Sequence, residues 1–393
     1  MDNRDTRSAT ALSQIAANLG LNKWNFDTTS FNSSVENYFG EIVMVYLTGV
    51  KDSGEETSLQ LICKLAPLHL LQQFDFVSTL YSRESYSYSV LFEDYKALNT
   101  RNVSIRQLVP ECYFSNDSKN EQIIVLKNML QEGYHRYNGE MFMDVGHAEV
   151  ALKTLAQFHV LSLIIQEKDP QTSEKRKAVL KPYGEMINPT HIEFLKKGMN
   201  NILETFKGTK YENSINEINN TYEEAFQNEV KYSNIAVFGH GDFWKENILF
   251  KYKNNKPDQA CLLDFQMVRL TNPAFDVLCF ILNCLTSETR RLHYQELLCS
   301  YYNTLQKTLT ANGVNGQKLY TRLQFDEDLK SIYPVCFAFV QSAFFLWLGL
   351  DSSVVASKNQ CQNEKQTKES MQKLKLIISD ILDDLHFFGY FEI

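Results

Sequence analysis

Asp242, Asn247 and Asp264 place two carboxylates and a carboxamide within one short stretch of the chain. Moving a phosphoryl group onto a hydroxyl uses that set. One carboxylate accepts or orients the proton of the attacking hydroxyl, while an amide oxygen and a second carboxylate hold magnesium against the phosphates of a nucleotide. Taken singly, an Asp or Asn in a polar turn only closes or caps that turn. Taken together and in this order, with a strand leading into the second carboxylate, the three point to the chemistry.

The elements that must hold these groups are legible around them. Ile235 to Phe238 is β-rich and runs into Gly239-His240-Gly241, where two glycines permit a tight turn that presents Asp242. Asn247 opens the apolar run Ile248-Leu249-Phe250. The polar turn Lys253 to Pro257 leads to a second apolar run, Cys261-Leu262-Leu263, predicted to be the return strand of a hairpin ending at Asp264. Asp242 and Asn247 have the Asp-x-x-x-x-Asn spacing of the protein-kinase catalytic loop, and Asp264 falls where its metal-holding aspartate should.

With these residues in view, the stretch resembles the catalytic core of the aminoglycoside- and choline-kinase-like superfamily. It is most similar to the insect branch, the ecdysteroid-kinase-like (CHK-type) proteins. That branch is marked by His-Gly-Asp-x-Trp-x-x-Asn-x-x-Phe, Asp-Phe-Gln and Pro-x-x-Asp. The chain has His240-Gly241-Asp242-Phe243-Trp244-Lys245-Glu246-Asn247-Ile248-Leu249-Phe250, then Asp264-Phe265-Gln266, then Pro273-Ala274-Phe275-Asp276. Gln266 stands where protein kinases carry glycine. The resemblance covers roughly residues 35 to 350. It implies an α+β, bilobal protein-kinase-like fold with a small antiparallel-sheet lobe and a larger, mainly helical lobe. Residues 1–127 would be the nucleotide-binding lobe and residues 128–393 the catalytic and acceptor-binding lobe, together one kinase-like domain.

The resemblance also assigns the nucleotide side. Ser33 to Gly40 reads, on its residues alone, as a plain β-turn feeding a strand, Ile42 to Leu47; by the resemblance Asn37 and Gly40 are what remains of a turn that covers phosphates with backbone N–H groups. After the polar turn Lys51 to Thr57, the strand Ser58 to Pro67 alternates, with Leu59, Leu61, Cys63 and Leu65 on one face and Ile62 and Lys64 on the other. A lysine in so apolar a strand must snorkel or meet an anion; an ordinary edge-strand lysine is the alternative, and its place one strand after the Asn-Tyr-x-Gly turn and well before the catalytic loop favours the anion. In the family it holds the α- and β-phosphates. By the resemblance, a helix from Tyr81 to Leu98 carries the glutamate that pairs with that lysine. Glu84, with Tyr81 and Tyr88 on its helical face, fits the family's pattern, Glu93 is the rival, and a solvated glutamate is the alternative for either. Two further strands, Val109 to Tyr113 and Gln122 to Leu126, complete the sheet. Lys127, Asn128 and Met129 then form the hinge where adenine meets backbone.

Beyond this, Asp144 caps an amphipathic helix whose His159 is expected to lie hydrogen-bonded beneath the catalytic loop. Asp276 is expected to start an apolar helix, Val277 to Leu282, and to accept hydrogen bonds from the catalytic-loop backbone; an N-terminal helix charge is the alternative. Residues 1 to about 30 read as weakly periodic, with a helix around Ala9 to Leu19. Gln171 to Val230 reads as charged and helical, and Glu288 to Ile393 as helices.

Composition sets the outer limits. The 393 residues, 44% apolar and 22% charged, suit a globular protein with a sizeable core. The net charge of −8 argues against nucleic acid or an acidic membrane as partner. Eight cysteines without a Cys-x-x-Cys pair indicate neither zinc nor a redox pair, and their apolar settings suit the cytoplasm. The polar start has no apolar stretch of the signal-peptide kind after it. Tyr333 to Leu350 is apolar but interrupted by Pro334, Gln341 and Ser342, and reads as a buried helix. The expected activity is an ATP- and Mg2+-dependent kinase, monomeric, for a small-molecule alcohol. The resemblance implies an ecdysteroid or other apolar alcohol as acceptor; Lys175, Lys177, Lys181, Lys196 and Lys197, mixed with the acids of residues 171–230, show no acidic trough for a polycationic one, in weak agreement with it. Choline-like and aminoglycoside-like acceptors, phosphorylation of polypeptide Ser or Thr, and a ligand-binding pseudokinase are the alternatives.

Overall fold

The computed structural model describes residues 3–30, 40–73, 75–182, 185, 189–350 and 364–392. Among them the strands are β1 (Leu21–Ser30), β2 (Glu41–Lys51), β3 (Glu56–Leu65), β4 (Cys112–Asn116), β5 (Ile123–Lys127), β6 (Tyr134–Arg136), β7 (Val237–Gly239), β8 (Ile248–Lys253), β9 (Lys256–Leu262) and β10 (Arg269–Thr271). The chain divides into two compact units. The first comprises Met1–Asn138, Val160–Arg176 and Glu246–Val268, and the second Gly139–His159, Lys177–Lys245 and Arg269–Ile393. An antiparallel-sheet unit and a mainly helical one make this an α+β protein, as the sequence implies.

In the first unit the large sheet is antiparallel throughout, in the order β1-β2-β3-β5-β4. Its interior face buries Val45, Leu47, Leu61, Cys63, Leu65, Ile123 and Val125 against Ala11, Leu12 and Ile15 of the helix Asn3–Asn18. Lys64 lies opposite Ile42 of β2 and Ile124 of β5, so it sits on a central strand and the edge-strand account is excluded. Strand alternation turns Lys64 away from the face that Leu61, Cys63 and Leu65 bury. A smaller sheet, β6-β8-β9, holds the hairpin that ends near Asp264. Its turn residues Asn254 and Asn255 both have positive φ, 52° and 59°, the backbone of a two-residue type I′ turn. Asparagine tolerates that conformation better than most side chains.

The second unit is built on two buried helices. Pro273–Cys284 has Pro273 in its first turn and the Asn272 side chain accepting from Ala274 N at 2.9 Å. It therefore begins before Asp276, not at it as the sequence reading had it. Arg322–Trp347 starts with a capping box, in which Thr321 and Gln324 exchange bonds. Phe275 and Phe339 join the two helices edge to face at 5.2 Å. The helix Pro189–Phe206 comes close at Gly198, where a Cβ would stand 2.7 Å from the Gln341 and Ser342 side chains. Val145–Lys168 and Arg322–Trp347 are long and apolar enough to cross a membrane, yet 78% and 72% of their apolar windows are buried in protein, so they are core helices.

The structure departs from the sequence reading elsewhere too. The first helix reaches back to Asn3, β4 begins at Cys112 instead of Val109, and β1, β6 and β10 went unread. β1 is an edge strand in which Leu21, Trp24 and Phe26 meet the core among polar neighbours, and β6 and β10 are three residues each, too short to show a period.

The cap on the buried helix gives a direct check. Asn272→Ala is expected to lower unfolding free energy by about 1 kcal/mol in a urea titration, and Asn272→Ser to recover most of it.

Candidate active site

In the first unit the sheet lysine is held by two carboxylates. Lys64 Nζ lies 2.6 Å from Glu84 Oε2 and 2.7 Å from Asp264 Oδ1, with side-chain exposures of 7% for Lys64, 2% for Glu84 and 21% for Asp264. Burial by itself disfavours the ammonium, but the two carboxylates outweigh it and raise the lysine's pKa. Burial pushes the Glu84 carboxyl up, with Lys64 opposing. Glu93, the rival on the same helical segment, pairs instead with Lys96 at 2.6 Å and is exposed. Glu84 is thus the partner of Lys64, which the sequence left open.

The segment that carries Glu84 is not a plain α-helix. Asp75–Tyr86 passes through a π turn, Ser87–Leu91, into Phe92–Ala97. Within it Tyr88 and Phe92 both meet Phe265 edge to face, at 5.8 and 4.8 Å. Phe265 is fully buried. It anchors the residue before it, Asp264, whose φ of 64° is uncommon for any side chain but Asp or Asn. Asn247 lies at the same end of the hairpin: its carbonyl accepts from Leu263 N at 2.9 Å, and its side chain is buried. A carboxylate and a carboxamide thus stand together where β9 ends. Among the described residues no group of three or more His, Cys, Asp or Glu forms a metal cluster.

The other residues singled out on the nucleotide side fare differently. Asn37 lies outside the described residues, and Gly40 is half-buried just before β2. Lys127 pairs with Glu132 at 2.5 Å. Asn128 is buried: its N–H donates to Gln60 O at 3.0 Å and its side-chain oxygen accepts from Leu130 N at 3.1 Å. Met129 packs on Tyr134, Leu249 and Cys261. The side chains of all three therefore already have protein partners.

In the second unit β7 delivers the turn that presents Asp242. Asp276 Oδ2 accepts from His240 N at 2.7 Å and Oδ1 from Gly241 N at 2.8 Å. The same carboxylate meets His159 Nε2 at 3.1 Å, and His159 Nδ1 meets the Tyr301 hydroxyl at 2.7 Å. All of these groups are fully buried. Asp242 N lies 3.3 Å from His240 Nδ1. Only glycine fits at position 239, since a Cβ would stand 2.4 Å from Thr271 and 2.7 Å from the Asp276 carboxylate. Gly241 has φ +79°. Burial opposes the Asp276 charge, but His159, His240 and Arg269 outweigh it and hold the carboxyl below the usual aspartate range. The hydrogen bonds expected of His159 and Asp276 are present. Tyr301 was unforeseen, because nothing in its helix marks one tyrosine among several.

A model of the ecdysteroid kinase-like family matches residues 34–314. No curated protein sequence matches significantly. Among solved structures, a choline kinase from Streptococcus pneumoniae is 11% identical at a TM-score of 0.40, covering 95% of this chain and 98% of its own. An aminoglycoside 2'-phosphotransferase-IIIa in its GDP complex is 10% identical at 0.43, with coverages of 96% and 99%. A macrolide 2'-phosphotransferase from Brachybacterium faecium is 11% identical at 0.39, with coverages of 93% and 97%.

The buried Asp276 cluster makes a pH-dependent contribution of known sign. A carboxyl with depressed pKa stabilises the fold fully above its unfolded pKa, and that stabilisation is lost as pH falls through the folded value. Asp276→Ala is expected to cost about 3–5 kcal/mol near neutrality, the scale of a broken buried charge network. In denaturant titrations the gap between wild type and Asp276→Ala should narrow only below about pH 4. A gap that stays constant down to pH 3 would show that charge is not its source.

Proposed function

The chain belongs to the ecdysteroid kinase-like family, a family of small-molecule kinases, and on that premise we propose that it is an ATP- and Mg2+-dependent phosphotransferase acting on a hydroxyl of a small apolar alcohol, an ecdysteroid foremost. The observation that carries the reading is the buried Lys64, held at 2.6 and 2.7 Å by Glu84 and Asp264. A cation fixed between two carboxylates on a central strand adds little net stability over an apolar set, since replacing all members together by apolar side chains commonly leaves a fold as stable or more so, although removing one alone strands the others. As a device for binding phosphate it is economical, because Glu84 fixes the direction of the ammonium and Asp264, itself the carboxylate that would hold the metal, keeps the ammonium beside that site.

In this reading residues 1–127 bind the nucleotide, residues 128–393 supply catalytic and acceptor groups, and together they form one kinase-like domain. Bound Mg-ATP supplies the phosphoryl group and neutralises charge on it. Lys64 holds phosphate oxygens. Asp264 and Asn247 present carboxylate and amide oxygens at the end of one hairpin, a donor set suited to a hard cation that keeps its remaining sites for phosphate and water. Asp242 accepts or orients the acceptor's hydroxyl proton, on a loop whose backbone Asp276 pins. The backbone of Lys127 to Met129 meets adenine, and Asn37 and Gly40 belong to the loop that covers the phosphates. The free thiols of all seven described cysteines support a reducing, cytoplasmic setting.

Two variants separate the roles. Asp242→Asn is expected to lower turnover by roughly 10²–10⁴-fold with little change in nucleotide affinity. Turnover within a few-fold of wild type would remove Asp242 from the chemistry. Asp264→Ala should be inactive at every magnesium concentration, whereas excess magnesium or manganese should partly restore Asn247→Ala. An Asp264→Ala enzyme as active as wild type in a chelator-titrated assay would contradict the metal assignment.

A further inference from the structure

Resting on the phosphotransferase reading, we propose that the stacked indoles of Trp244 and Trp347 form the wall against which the acceptor's ring system lies, and so set the acceptor class as ring-bearing apolar alcohols. Trp244 stands two residues after Asp242. Its ring stacks on that of Trp347 with centroids 4.3 Å apart and planes 14° apart. Phe344 meets Trp347 edge to face at 5.3 Å, and Phe142 lies 6.2 Å from Phe344. All these rings belong to the second unit.

Burial argues that this is more than core packing. Phe243, between Asp242 and Trp244, is buried against Phe280 at 4.8 Å and His240 at 5.9 Å. Asp242 and Trp244 on either side of it are only partly buried, as are Trp347 and Phe142. A tryptophan pair that served stability alone would be better placed inside, where its whole area leaves water. Instead two large rings keep partial access to solvent beside the carboxylate that meets the acceptor hydroxyl. Ring faces attract other flat or fused rings by dispersion and burial. They also attract onium cations, so choline is the rival that chemistry allows.

The test pairs binding with turnover on the full-length chain. Ecdysone, 1-naphthol and choline are titrated calorimetrically without nucleotide, into wild type, Trp347→Ala and Trp347→Phe. The same acceptors are assayed with Mg-ATP. Ecdysone and 1-naphthol are expected to bind wild type and to bind Trp347→Ala about tenfold more weakly, the scale of one lost ring contact and its buried area. Trp347→Phe should keep most of the affinity. The acceptor KM should rise in parallel while the KM for ATP stays put. Should Trp347→Ala unfold, Trp347→Leu, which keeps bulk without an aromatic face, takes its place. Equal ring-alcohol binding by wild type and the Ala or Leu variant, or Trp347-dependent binding of choline alone, overturns the proposal. Trp347-dependent binding of ring alcohols without phosphorylation leaves this wall standing and removes the kinase reading; phosphorylation indifferent to Trp347 does the reverse.

Discussion

The ion pairing of Lys64 is the constraint on which the first unit depends. A buried ammonium must have anions around it, and those anions must come from elements far apart in sequence. Glu84 reaches it from the helical segment on one side and Asp264 from the end of the hairpin. Removing the lysine would strand two carboxylates, so the strand, the helix and the hairpin end hold one another in place. The π turn after Glu84 and the ring contacts of Tyr88 and Phe92 with Phe265 add an apolar brace to the same arrangement. Such π turns are found most often where function sets the geometry.

The second unit meets an equivalent demand by different means. The loop that carries Asp242 is not left to find its own shape. The fold fixes its backbone with one buried carboxylate accepting two N–H groups, backed by His159 and Tyr301. The space beside that carboxylate is so tight that a methyl group at position 239 has no room. The loop's geometry is thus determined from beneath, by a buried carboxylate that holds its backbone.

Much of this was legible in the chain because the determinants are local. Spacing gave Asp242, Asn247 and Asp264, and alternation set Lys64 apart from the apolar face of its strand. The Asn254-Asn255 turn could be placed by composition alone. What sequence could not decide depends on tertiary contact. Glu84 fits the family's pattern, but Glu93 stays a rival until the helix is docked on the sheet. The side chains of Lys127 and Asn128 could not be known to be engaged. Trp347 sits in an apolar helix that reads as uniform core, and its stacking on Trp244, far away in sequence, leaves no local trace. β1 was missed because Leu21, Trp24 and Phe26 are scattered among Asn, Lys, Asp and Thr, a pattern an edge strand tolerates.

The central claim is that the Lys64 pairing serves phosphoryl transfer. Its most direct test is Lys64→Met, which keeps the length and apolar stem of the side chain and loses only the ammonium. Wild type and variant are incubated with γ-labelled ATP, magnesium and an apolar alcohol, and label on the alcohol is counted after confirming by circular dichroism that both are folded. The account expects transfer by wild type and a loss of at least about a hundredfold in the folded variant, the scale of removing one preorganised electrostatic contact to a phosphoryl group. A folded Lys64→Met protein that transfers label at the wild-type rate would contradict it.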